Sequence, residues 1–143
     1  MNLIHLTKQG GRAMYDTIEL TGKVIHGFKR GKKIGFPTAN LELTNSNGSL
    51  PKHGVYASRV IVSNKTYIAL TNIGLAKTFG ATTPTVEPHI LDFDNDIYGE
   101  TLTVTLIQHL RGMIKFPSAV ELIEQLTKDC LQIREFFNEK GSK

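Results

Sequence analysis

The chain has 143 residues, with 17 Lys+Arg against 13 Asp+Glu and a formal charge of +4. That length is enough for one domain that buries about two-thirds of its unfolded surface without disulfides or a structural metal. A single cysteine, Cys130, excludes an internal disulfide, and no apolar run approaches the ~20 residues of a membrane span, so a reducing cytoplasmic setting is expected.

Residues 1–16 carry Lys8 and Arg12 without an amphipathic pattern, and are read as an N-terminal arm ahead of a single domain over 17–143. From about Thr17 to about His109 the pattern is alternation. Short β-branched runs, "TIELTGKVI", "GVYASRVIV", "TYIALTNIG" and "TLTVTLIQHL", are separated by Gly, Asn or Pro and read as strands. "SNK" between Val62 and Thr66 reads as a tight hairpin connection. Strands at this spacing predict an antiparallel barrel or sandwich. After Pro117 the period changes: Ser118 and Glu121 form a capping-box pair, and Ala119, Leu122, Ile123, Leu126, Cys130, Ile133 and Phe137 follow at helical spacing. This predicts one C-terminal helix, with Cys130 as a small buried hydrophobe on its apolar stripe.

Three stretches could carry chemistry. "GFKRGKK" places Lys29, Arg30, Lys32 and Lys33 among glycines, a composition that suits anionic phosphates although its spacing is not that of a P-loop. In the next stretch Pro37 biases Phe36 towards an extended conformation, so that Thr38 and Asn40 fall on one side. A hydroxyl and a carboxamide oxygen suit Mg²⁺ whose charge is balanced by substrate phosphates. The third is Glu87 in "TVEPHILDF", a carboxylate in an apolar strand, placed to act as a general base, with Pro88 lending the strand edge or bulge character. "DFDND" at 92–96 imitates a calcium loop, but Ile97 stands where that loop needs glycine and Thr103 where it needs glutamate. The five histidines show no zinc-ligand spacing.

In chain order, "GKVIHGFKRGKKIGFPTANLEL", "LPKHGVYAS", "TNIGLAKTF", "VEPHILDFDNDIYGETLTV" and "LRGMIKFPSAVELIEQLTKD" resemble successive blocks of the riboflavin kinase (flavokinase) family, from about Thr21 to Arg134. The resemblance implies a mostly β fold, a six-stranded antiparallel Greek-key barrel with a C-terminal α-helix. It also implies transfer of the ATP γ-phosphoryl group to the 5′-hydroxyl of riboflavin, giving FMN and ADP. Residue by residue, it implies Thr38 and Asn40 as ligands of Mg²⁺–ATP, Glu87 as the catalytic base, and Gly27 with Lys32 or Lys33 in the nucleotide loop. Ile90, Asp92, Tyr98, Arg111 and Phe116 would line the flavin, with Arg111 and Lys115 on a loop over it.

The sequence departs from the family pattern at Lys77, where proline usually precedes Thr-Phe, at Met113, commonly glutamate, and at Pro88, directly after the base. With no room for an adenylyltransferase half, the expected product is FMN and not FAD, made by a cytoplasmic monomer without nucleic-acid or membrane partners. The competing expectation is a flavin-binding sensor or carrier with the same fold and little kinase activity. A nucleic-acid binder would need aromatic residues displayed for base stacking, and the seven Phe and four Tyr are not clustered.

Overall fold

The computed structural model describes residues 3–9, 12–25, 35–44, 51–78 and 81–139. Seven strands precede one helix: β1 (Leu3–Gln9), β2 (Arg12–Ile25), β3 (Asn40–Leu43), β4 (Gly54–Val62), β5 (Lys65–Thr78), β6 (Ala81–Ile90), β7 (Thr101–Arg111) and α1 (Ala119–Glu139). They form one sheet in the order β1-β2-β7-β4-β5-β6, with β3 also paired to β2 and every pairing antiparallel. The run β4-β5-β6 followed by a return of β7 beside β4 is a Greek key.

A backbone bond from Ala39 N to Pro88 O, 2.9 Å, draws the β3 end of the sheet against β6. Six antiparallel strands, β2 to β7, thereby make a nearly closed barrel with one C-terminal helix. The first strand differs from the sequence reading: Leu3–Gln9 pairs with β2 from Leu3↔Glu19 to Gln9↔Arg12, where a loose arm was expected. In the sequence, Gly10 and Gly11 stand between these strands.

The alternation of each strand sorts its residues into two cores. Inside the barrel lie Leu20, Val24, Leu41, Val60, Ile73, Val86, Ile90, Leu102 and Val104, among others. The buried hydroxyls of Ser58 and Thr71 also face inward, 2.6 Å apart, and Ser58 Oγ donates to Ala69 O at 2.9 Å, so this polar pair is satisfied. Outside the barrel, Val55, Ala57, Leu70 and Leu91 meet Ile133 and Phe137 of α1, with Leu126 and Cys130 packed against them. The i, i+4, i+7 and i+11 spacing of 126, 130, 133 and 137 puts one helix face on β4 and β5. Ser118 Oγ accepts from Glu121 N at a long 3.5 Å, at the start of α1 as the capping pair predicted.

The β4–β5 hairpin turns on Ser63 and Asn64, with φ of 49° and 67°. Two central residues of positive φ match the right-handed twist of the strands, so this is a two-residue turn rather than a three-residue one.

Candidate active site

Pro88 looks misplaced in the middle of a barrel strand. Its carbonyl points to β3, where Ala39 N donates to it, so its nitrogen points the same way. The missing donor therefore falls on the β3–β6 seam and the β5–β6 ladder, where Pro88 stands opposite Thr71, loses nothing. The seam is reinforced from the side chain of His89, whose Nδ1–H donates to Pro37 O at 2.7 Å while its ring meets Phe36 edge-on.

This stitching assembles the residues singled out in the sequence. Counting the antiparallel seam from Ala39↔Pro88 sets Asn40 opposite Glu87 and Thr38 opposite His89. On the other side of β6, Glu87 is opposite Asn72 of β5. Since Val86, Ile90 and Leu41 face the barrel core and Ala39 packs against it, the residues of opposite parity, Glu87 and His89 on β6, Asn40 at the start of β3 and Thr38 just before it, face outward. The same register runs on through Asn72↔Val55 and Val55↔Arg111, so one row across the outer face reads Asn40, Glu87, Asn72, Val55, Arg111. At ~4.8 Å per strand, Arg111 stands about 14 Å along that row from Glu87.

The electrostatics of the row are distinctive. Glu87 is half-buried, and that burial raises its carboxyl pKa above the ordinary value. No hydrogen bond or ion pair joins the side chains of Glu87, Thr38, Asn40 or Asn72 to another described residue, and the Asn72 Oδ1 atom is buried without a partner. His89 is held below its usual pKa, first by burial and then by the Arg134 charge, against the opposing bond to Pro37. Its neutral ring fixes the seam without adding charge.

On the helix side the expected flavin residues take different positions. Arg111 donates from Nε to both Asp129 oxygens, at 3.1 and 3.0 Å, and from Nη2 to Oδ2 at 2.7 Å. Its Nη1 donates to Gly112 O at 3.1 Å. Asp129 is only 1% exposed and also accepts from Gln125 Nε2 at 2.9 Å. Phe116 lies with its ring centroid 6.0 Å from the Arg111 guanidinium. Asp92, with φ 57°, pairs bidentately with Arg134 at 2.8 and 3.0 Å. Tyr98 is 58% exposed, and the next residue, Gly99, donates to Val24 O at 2.9 Å, beside the Ile25 that pairs with Asn40. By connectivity Tyr98 belongs to the β3 border of the row rather than to the Arg111 end. Ile90 points into the barrel core, so it holds β6 in place instead of presenting a side chain to the outer face. Gly27, Lys32 and Lys33 lie outside the described residues.

The profile of one protein family, described as riboflavin kinase, matches residues 14–137. The chain belongs to the riboflavin kinase family. Among similar proteins, a bifunctional riboflavin kinase/FMN adenylyltransferase of Listeria monocytogenes is 43% identical over 117 residues, which is 81% of this chain and 37% of that protein. A trifunctional RibF/MnmA protein of Mycoplasmoides gallisepticum is 40% identical over 132 residues, 92% of this chain and 20% of that one. The chain thus spans well under half the length of these curated relatives.

Among solved structures, riboflavin kinase from Trypanosoma brucei superposes with a TM-score of 0.59 at 26% identity, covering 85% of this chain and 80% of that one. A Streptococcus pneumoniae crystal structure named as a macrolide-efflux protein superposes with a TM-score of 0.76 at 39% identity, over 81% of this chain and 38% of that one. Among the described residues, no helix is long and apolar enough to cross a membrane.

Within the riboflavin kinase barrel, the residue that sequence reasoning passed over is Asn72. It lies in "TNIG", at the end of a run read as a strand, where no role was expected of it. Its position opposite Glu87 emerges only from the β5–β6 register.

Proposed function

We propose that the chain is an ATP-dependent riboflavin kinase, which transfers the γ-phosphoryl group of ATP to the 5′-hydroxyl of riboflavin and releases FMN and ADP. The observation that carries this is the seam: Ala39 N to Pro88 O sets two neutral oxygen-bearing side chains, Thr38 and Asn40, beside a half-buried carboxylate that has no partner among the described residues. Glu87 accepts the hydroxyl proton as the O–P bond forms and the bond to the ADP oxygen breaks. Phosphoryl transfer needs little more from a protein than positioning and charge neutralisation.

Thr38 and Asn40 fit Mg²⁺ as hard oxygen ligands, and among the described residues no three His, Cys, Asp or Glu side chains form an alternative metal cage. A cation bound by two uncharged groups takes its counter-charge from nucleotide phosphates, and when bound it supplies the positive charge that offsets theirs. Gly27 with Lys32 or Lys33 would add to that charge from the nucleotide loop. The flavin ring would lie towards the Arg111 end of the row, with Phe116 and Asp92 around it, Tyr98 approaching from the β3 border and Ile90 supporting β6 from the core. The protein acts in the cytoplasm as a monomer, without nucleic-acid or membrane partners.

The test is incubation of the protein with riboflavin, ATP and Mg²⁺, with an EDTA control, followed by chromatographic separation of the flavins. FMN that appears only with metal is the expected result. Riboflavin that binds and stays unphosphorylated would replace the kinase with a flavin-binding carrier.

A further inference from the structure

A buried carbonyl oxygen without a donor is costly, so its presence at a strand centre asks what donor it is built to receive. Asn72 Oδ1 is such an atom, and among the described residues no other buried side-chain nitrogen or oxygen lacks a partner. The residues around it limit the answer. Asn72 is opposite Glu87 on one side and Val55 on the other, and Val55 is buried beneath α1. A ligand group bound at Glu87 can therefore reach the oxygen along the row, away from the side that α1 covers.

The two flanks of Glu87 differ in chemistry. On the β3 side, Asn40 at the start of β3 and Thr38 just before it are suited to a cation and to phosphate. On β5, Asn72 presents an acceptor, which an anionic phosphate cannot satisfy and a hydroxyl can. Cross-strand side chains such as these have Cβ atoms ~4.5–5.5 Å apart, so a donor next to the hydroxyl that Glu87 deprotonates is within reach of Asn72.

We propose that Asn72 is a substrate-binding residue whose side-chain oxygen accepts a hydrogen bond from a secondary hydroxyl of the polyol chain, holding the terminal hydroxyl against Glu87. This deepens the kinase reading and rests on it. Asn72 makes the enzyme selective for a polyol over a simple alcohol, since a chain without that hydroxyl leaves the oxygen orphaned during turnover.

The test compares riboflavin with a flavin whose N10 side chain is a plain alkyl chain keeping only the terminal hydroxyl, by kcat/KM in wild type, Asn72→Leu and Asn72→Ser. Wild type should prefer riboflavin by about tenfold or more. In Asn72→Leu most of that preference should vanish, through loss of riboflavin turnover alone, with KM for ATP unchanged. Asn72→Ser, which keeps a smaller acceptor, should recover part of it, and it carries the comparison by itself where the leucine variant does not fold. A preference that ignores residue 72 overturns the inference and leaves the kinase intact. So does an effect that falls equally on both flavins or on the Mg²⁺ requirement. A wild-type protein inert towards riboflavin and ATP would remove the kinase reading, and the inference with it.

Discussion

Glu87 shows how one side chain can work against the fold that holds it. Because burial raises its pKa, the folded state binds the proton more tightly than the unfolded chain does. Stability therefore falls as pH rises from the ordinary carboxylate range through the folded pKa, where the side chain must ionise half out of water. Glu87→Gln is expected to melt at or above the wild-type temperature at neutral pH, and to lose that advantage when the pH is lowered below the unfolded pKa, as thermal scans across pH would record. The same variant should lose about 10²-fold or more in turnover with little change in nucleotide affinity, measured by steady-state assay and by nucleotide titration. A carboxylate in an apolar strand was legible in the sequence as something needing a role. Asn72 was not, because asparagine is common near turns and only its partner across the ladder gives it significance. Ile90 was assigned a ligand from its place in a motif, whereas strand parity turns its side chain into the core.

Among the elements, α1 is fastened to the barrel by an apolar stripe and by one buried ion pair. Arg111 and Asp129 form a bidentate contact with side-chain exposures of 17% and 2%, so water does little to screen it. Asp129→Ala leaves a partly buried guanidinium without its carboxylate. Since Arg111 retains some solvent access, the expected cost is about 2–3 kcal/mol, at the lower edge of what breaking a buried pair brings, and urea unfolding would measure it. The Asp92–Arg134 pair has equally good geometry but exposures of 73% and 44%, and contributes little. Cys130 lies on the packed face of α1, where burial first and the neighbouring Asp129 second push its thiol up to about 11. A thiol reagent at neutral pH should therefore label the native protein slowly and the urea-unfolded protein fast. The helix was read correctly from the 3.6-residue period, and so was its stripe from Leu126 to Phe137, whereas Ala119 at the start of the predicted stripe is exposed. The Arg111–Asp129 pair was not, since Arg111 stood out as a flavin residue and nothing in the spacing joins it to a helix beyond the next loop.

At the scale of the whole molecule, alternation of apolar and polar residues disclosed the strands, and the change of period after Pro117 disclosed the helix. What alternation could not disclose is which edges meet. The seam depends on Pro88 facing Ala39, a pairing between segments distant in sequence, and proline there read only as a mark of an edge. The first strand escaped notice for another reason: seven residues beside a short connection resemble a tail until the register with β2 is known.

The seam also has a consequence for how the protein comes into being. Hairpins β4–β5 and β5–β6 join neighbours in the chain and can form early, while the β3–β6 contact closes a long loop and is entropically late. Asn40 and Glu87 lie on opposite sides of that closure. In a refolding experiment, the proposed kinase activity should lag behind the return of the β-sheet circular dichroism signal, so that turnover would serve as a clock for the last step of assembly.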